Sequence, residues 1–151
     1  MASKLTGNWK GLMSFVNNFD TDVKRENKKY LDDKSKEIQL AIQNTINNQT
    51  ENWTPLKDET VRRKGSNIIL KETGQLVNSI EVTKEGESTY VISPQGEHSS
   101  GLSNSELALI HEYGTERVPP RPFISPVHEE YQQKVPKEVS TIVGKTIQKY
   151  I

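Results

Sequence analysis

Cysteine is absent from the 151 residues, which removes disulfides, thiolate zinc sites and cysteine nucleophiles together. No run of about 18 apolar residues occurs, so no membrane-spanning helix is expected. The opening MASKLTGNWK has no continuous apolar stretch of the signal-peptide kind, and the expectation is a soluble cytoplasmic product. The Asn-x-Thr patterns at Asn48 and Asn52 are accordingly read as chance. Apolar residues make up only 32%, below the usual 45–50% or so, and mean hydropathy is −0.75. A chain of this length is one ordinary domain, and here its core must be thin. Net charge is also missing: twenty basic residues balance twenty acidic ones. That balance speaks against a general binder of nucleic acid or anionic membrane, and against disorder driven by charge.

The charge is uneven when followed along the chain. Residues 1–71 carry thirteen basic and nine acidic side chains, net +4. Residues 72–116 carry one basic and eight acidic, net −7. Residues 117–151 carry six basic and three acidic, net +3. Two readings stay open: an accident of composition, or complementary faces of a subunit that stacks head to tail.

Hydrophobic spacing organises the rest. Leu5, Trp9, Leu12, Val16 and Phe19 recur at helical intervals. Asp20, Thr21 and Asp22 offer capping chemistry for a second helical stretch to about Thr50, with Val23, Tyr30, Leu31, Ile38, Ala41, Ile42 and Ile46 near one face. No Gly or Pro interrupts residues 12–54, so the first helix can run straight into the second. Pro55 forces Thr54 to be extended and ends the helix before it. Asp58 to Lys64 reads as a further helical turn, Gly65-Ser66-Asn67 as a turn, and Ile68-Ile69-Leu70 as helix or strand undecided. Residues 75–79 fit one helical turn. The alternation over 80–84 and again over 88–93, across Glu85-Gly86-Glu87, predicts a hairpin. The serine- and glycine-bearing stretch 94–105 reads as a mobile loop. Ser103 and Glu106 have capping-box spacing for a short helix ending at Gly114. Val118 to Pro122 is extended. A last stripe, Ile124, Val127, Tyr131, Val135, Val139, Ile142, Thr146 and Tyr150, contains Pro136, which should kink or split it.

Catalytic chemistry is poorly supported. His111-Glu112 begins a zincin-like motif, but the fifth position is Thr115 instead of histidine, and Gly114 would end the helix. His98, His111 and His128 are the only imidazoles and lie far apart in sequence. There is no Gly-rich phosphate loop and no nucleophile elbow, and Asp32/Asp33 and Glu129/Glu130 are sequence neighbours that diverge on a helix. Arg62-Arg63-Lys64 can touch phosphates, although Asp58 and Glu59 dilute it.

Three motifs point further. They are Trp53-Thr54-Pro55-Leu56-Lys57 with Thr60 and Lys64; Ile69-Leu70 leading to Thr73-Gly74-Gln75-Leu76-Val77-Asn78-Ser79-Ile80; and Ile110-His111-Glu112-Tyr113-Gly114-Thr115 leading to Pro119-Pro120-Arg121-Pro122-Phe123-Ile124. In order and spacing they resemble the bacteriophage virion morphogenesis proteins, which complete tails and join them to heads. The resemblance covers residues 53–124; the flanking helices match in type and placement.

The resemblance implies a structural virion protein of a tailed phage or prophage, found at the neck or tail end and in the host cytoplasm before assembly. It implies a ring of copies, hexamer or dodecamer, against neck, tail-terminator or tail-tube proteins. DNA in the channel would be an indirect contact, with no membrane, small-molecule substrate, cofactor or metal. The motif residues are then interface and structural: Trp53, Pro55, Leu56, Thr73, Gly74, Leu76, His111, Glu112, Gly114, Thr115, Pro119, Pro120, Arg121, Pro122 and Phe123. Gly74 and Gly114 would permit turns that a side chain forbids. His111 and Glu112 would hold the turn that aims the proline-rich strand, Arg121 would pair with a neighbour's acid, and Phe123 would anchor the last helix. The alternatives are a tail terminator, a DNA-binding accessory domain using Arg62, Arg63 and Lys64, and a metallopeptidase built on His111 and Glu112. The expected fold is one α+β domain over 1–151: a helical region 1–50, a motif-bearing core 53–124 and a C-terminal helix 123–151. Long helices flank a small antiparallel sheet with its hairpin at about 80–93.

Overall fold

The computed structural model describes residues 7–150 and has the α+β architecture expected. Its elements are α1 (Trp9–Asn48), α2 (Asp58–Lys64), α3 (Gln75–Asn78), β1 (Ile80–Lys84), β2 (Tyr90–Pro94), α4 (Asn104–Tyr113) and α5 (Ser125–Gln148). Leu5 lies outside the described residues. The two strands pair antiparallel, Ile80 opposite Pro94 and Lys84 opposite Tyr90.

α1 is one unbroken helix of 40 residues, about 60 Å long. The capping chemistry at Asp20, Thr21 and Asp22 starts no second helix. Those acids serve the surface instead: Asp20 pairs with Lys24 at 2.8 Å and Asp22 with Arg25 at 2.7 Å, spacings that support a continuous helix. α1 ends at Gln49, whose left-handed backbone (φ 51°) turns the chain well before Pro55. The Gln49 side chain also decides the fate of the apolar run after α2. Its Oε1 accepts from Ile69 N–H at 2.9 Å and its Nε2 donates to Ile69 C=O at 3.0 Å. Thus Ile68-Ile69-Leu70 is neither helix nor strand but a turn pinned to the end of α1.

α5 runs antiparallel along α1. Tyr131 donates to Glu37, Tyr30 to Glu138 and Tyr150 to Asp22, a ladder down the helix pair. Lys34 bridges Glu37 at 2.7 Å and Glu138 at 3.0 Å, so charged side chains form the polar half of the α1–α5 seam. Pro136 neither splits nor ends α5, which is continuous from Ser125 to Gln148. Pro136 and Gln132 are both exposed, so water can serve the carbonyl that Pro136 leaves without a donor.

The core lies where α1, α5 and the hairpin meet. Ile46, Ile80 and Phe123 are fully buried, with Ile42, Trp53, Leu76, Val77, Ala108, Val127 and Tyr131 around them. A two-stranded sheet is marginal alone, and α1 supplies its missing support. Gln39 donates to Ile80 C=O at 2.7 Å, and Gln43 to Val77 C=O at 3.2 Å. The stretch 94–105, expected as a mobile loop, is laced shut. Asn104 Nδ2 donates to Gln95 C=O at 2.8 Å, and His98 N–H donates to Leu102 C=O at 2.8 Å. Ser103 and Glu106 form the expected capping box at the start of α4.

Candidate functional site

Glu112, in the last turn of α4, has a buried carboxylate directed at the first residues of α5. Its Oε2 accepts from Phe123 and Ile124 N–H at 3.0 and 3.1 Å, and its Oε1 from Ser125 N–H at 2.8 Å. A helix begins with N–H groups that have no partner, and Ile124, the residue at the N-cap of α5, supplies no side-chain acceptor. Glu112 supplies it from another helix, with a negative charge at the positive end of the helix dipole. Burial pushes its carboxyl pKa up, but the hydrogen bonds from Ser125, Phe123 and Ile124 outweigh this and hold it below the usual range. Both oxygens of the motif carboxylate are thereby committed to backbone.

The neighbouring motif residues also act on backbone. Gly114 ends α4 with φ 74° and ψ −179°, a region essentially reserved for glycine. A Cβ there would lie 2.8 Å from both Pro120 N and Val118 O. Thr115 holds the following turn: its N–H donates to Val118 C=O at 2.8 Å and its hydroxyl accepts from Val118 N–H at 3.1 Å. His111 joins through its carbonyl, which accepts from Arg121 N–H at 2.6 Å. Its ring does not complete the network expected of it, because the buried Nδ1 has no hydrogen-bond partner. Trp53 Nε1 donates to Pro122 C=O at 2.8 Å, tying the first motif to the third, and Phe123 is sealed in the core just before α5. Thr73 Oγ1 accepts from Gln75 N–H at 3.3 Å, and Gly74, with φ 83°, opens α3.

The three motifs meet around one cavity of about 610 Å³. Thr54, Pro55 and Leu56, then Thr73, Gly74 and Leu76, then His111, Pro119 and Arg121 all line it. Trp53, Glu112, Gly114, Thr115, Pro120, Pro122 and Phe123 stand behind or beside the wall and fix its shape. Arg121, expected to reach a neighbouring subunit, is only 7% exposed, and its Nε donates to Thr54 C=O at 3.2 Å. Burial pushes its pKa down from the ordinary arginine value. Arg63 and Lys64 share this wall, whereas Arg62 does not. Spacing in the sequence shows Arg62-Arg63-Lys64 as a surface run; it does not show that Arg117 and Arg121 come back to face its last two members. Among the described residues no group of three or more His, Asp or Glu side chains is arranged to hold a metal ion. No helix among them is long and apolar enough to cross a membrane.

No family model and no solved structure matches the chain. The chain is similar to a protein of Methanocaldococcus jannaschii described only as uncharacterized, with 27% identity over 109 residues, covering 71% of this chain and 79% of that one.

Proposed function

We propose that the chain is a structural virion protein of a tailed phage or prophage, which completes the tail or joins head to tail as a member of a ring at the neck, and catalyses no reaction. The observation that carries this reading is the apolar face left on the N-terminal half of α1. Leu12, Met13 and Val16 are 48%, 58% and 67% exposed. Phe15 and Phe19 stack on each other and meet Tyr150 edge-on, so the chain just beyond α5 covers one flank of this stretch and leaves the other open. A chain with so few apolar residues that still leaves these outside is suited to burying them against another chain. The motif residues support the same reading, because Trp53, Glu112, Gly114 and Thr115 direct their chemistry at backbone and shape.

Purified protein, incubated with tails assembled without it, is expected to co-sediment with them and to make them competent to join heads. Val16→Asp should abolish co-sedimentation while leaving the unfolding free energy of the free protein, from urea titration, within about 0.5 kcal/mol of wild type, since the site is exposed. Protein that stays monomeric and leaves the tails unbound contradicts the reading.

A further inference from the structure

The cavity where the motifs meet is strongly one-signed. Six cationic side chains line it against the single acid Glu72, in a chain whose charges cancel overall. Arg121 is the deepest of them. Its Nε bond to Thr54 is its sole side-chain hydrogen bond among the described residues, and it forms no ion pair with any of them. Lys64 donates to Ile68 C=O at 2.7 Å and likewise has no carboxylate within ion-pair distance. Glu72 lies 3.5 Å from Arg63, on the outer rim. Desolvating a guanidinium without an anion is costly, and a fold that keeps one buried normally supplies its partner. The positive field is felt by its neighbours. The His111 imidazole is pushed down to about 4 by burial first, then by Arg121, Lys64 and His98. Lys64 is lowered by burial, which Glu72 opposes, and further by Arg63 and Arg121.

We propose that this cavity is an oxyanion site, in which the Arg121 guanidinium and the Lys64 ammonium hold a phosphate or carboxylate group. The planar fork of arginine matches either group with paired N–H donors, and the lysine adds a point charge. The oxyanion has two sources: a free phosphate-class ion, or an Asp or Glu side chain of a second copy of this chain, whose residues 72–116 carry net −7. The inference stands on the cavity and does not depend on the phage reading.

The test is titration calorimetry with inorganic phosphate at constant ionic strength, beside light scattering over a protein concentration series. Wild type should bind phosphate saturably. Arg121→Gln and Lys64→Met should each weaken binding at least about tenfold, the loss of one charge-assisted bond, and the exposed control Arg62→Gln should not. If phosphate fails to bind but wild type self-associates, and either cavity variant shifts that association at least about tenfold while Arg62→Gln does not, the oxyanion is the second copy's carboxylate. Lys64→Met keeps the test open should Arg121→Gln fail to fold. Phosphate binding that survives both cavity variants overturns the proposal. So does a protein in which neither phosphate binding nor association responds to them. A phage ring whose assembly ignores these variants leaves the assembly reading standing and removes only this site.

Discussion

Gly114 and Gly74 both have positive φ, yet substitution should separate them sharply. A methyl at Gly114 meets Pro120 N and Val118 O at 2.8 Å, both backbone atoms that move only if the proline-rich segment moves. At Gly74 the nearest atom is Asn78 Nδ2 at 3.5 Å, an ordinary contact. Gly74→Ala should therefore cost about 1 kcal/mol, the left-handed penalty alone. Gly114→Ala should cost about 3 kcal/mol or more, strain plus clash. Equal urea midpoints for the two variants would contradict this. His111 and Glu112 both contribute to the pH dependence of stability. Burial first, then Arg121, Lys64 and His98, pushes the folded His111 ring down from its ordinary 6.5 to about 4. Between those values the unfolded chain binds more protons, so the stability is full above about 6.5 and falls as pH drops toward 4. Glu112, held below its ordinary value, adds a loss that begins near 4.5 and continues downward as its carboxyl protonates. Wild type should lose about 2 kcal/mol between pH 6.5 and 4 through His111, less than the full conversion because the ring borders an open cavity. His111→Gln should flatten that interval, and an unchanged slope would exclude the imidazole as its cause. These roles were partly readable. A glycine after an apolar helix and a Ser-x-x-Glu box have local causes and stand where sequence places them. The Glu112 partners are the N–H groups of another helix, which no local pattern announces.

At the scale of elements, periodicity locates α1, the hairpin and α5, while turn and capping signals mark α2, α3 and α4, because each of these cues lies in the element's own residues. They fail where tertiary contacts overrule local signals. The acids at 20–22 act as caps only if the backbone breaks, and the Phe15–Phe19 stack beside Tyr150 favours continuity. Ile68 to Leu70 is decided by one distant amide, that of Gln49. Pro136 is tolerated because the packed face of α5, with Val127, Tyr131 and Thr146 buried, holds the helix on both sides of it. Pro136→Ala restores an N–H donor and should stabilise the protein by about 1–3 kcal/mol, measured as a raised urea midpoint. A lowered midpoint would mean that the proline ring packs usefully.

For the whole molecule, a polar ladder forms one side of the α1–α5 seam, and buried apolar residues of both helices form the other and join the core beneath the hairpin. Tyr30 and Tyr131 are both pushed up to about 12, by burial first and then by the carboxylates of Glu138 and Glu37 respectively. They therefore stay neutral donors across the physiological range and hold the two helices in register. Beyond this body α1 carries its exposed apolar residues outward, and the one-signed cavity opens among the motif segments. The sequence shows the order of these segments, and the apolar stripe of α1 is visible in its spacing. That part of the stripe stays uncovered depends on how the chain just beyond α5 meets it, with Tyr150 beside Phe15 and Phe19 and with Leu12, Met13 and Val16 on the open flank. The proposal that this chain joins virion parts has its most direct test in deleting the gene from its source genome, inducing any resident prophage, and imaging the lysate by negative-stain electron microscopy. If the proposal holds, the deletion lysate contains DNA-filled heads and separate tails, and added protein restores joining. Intact, infectious virions in the deletion lysate would contradict it.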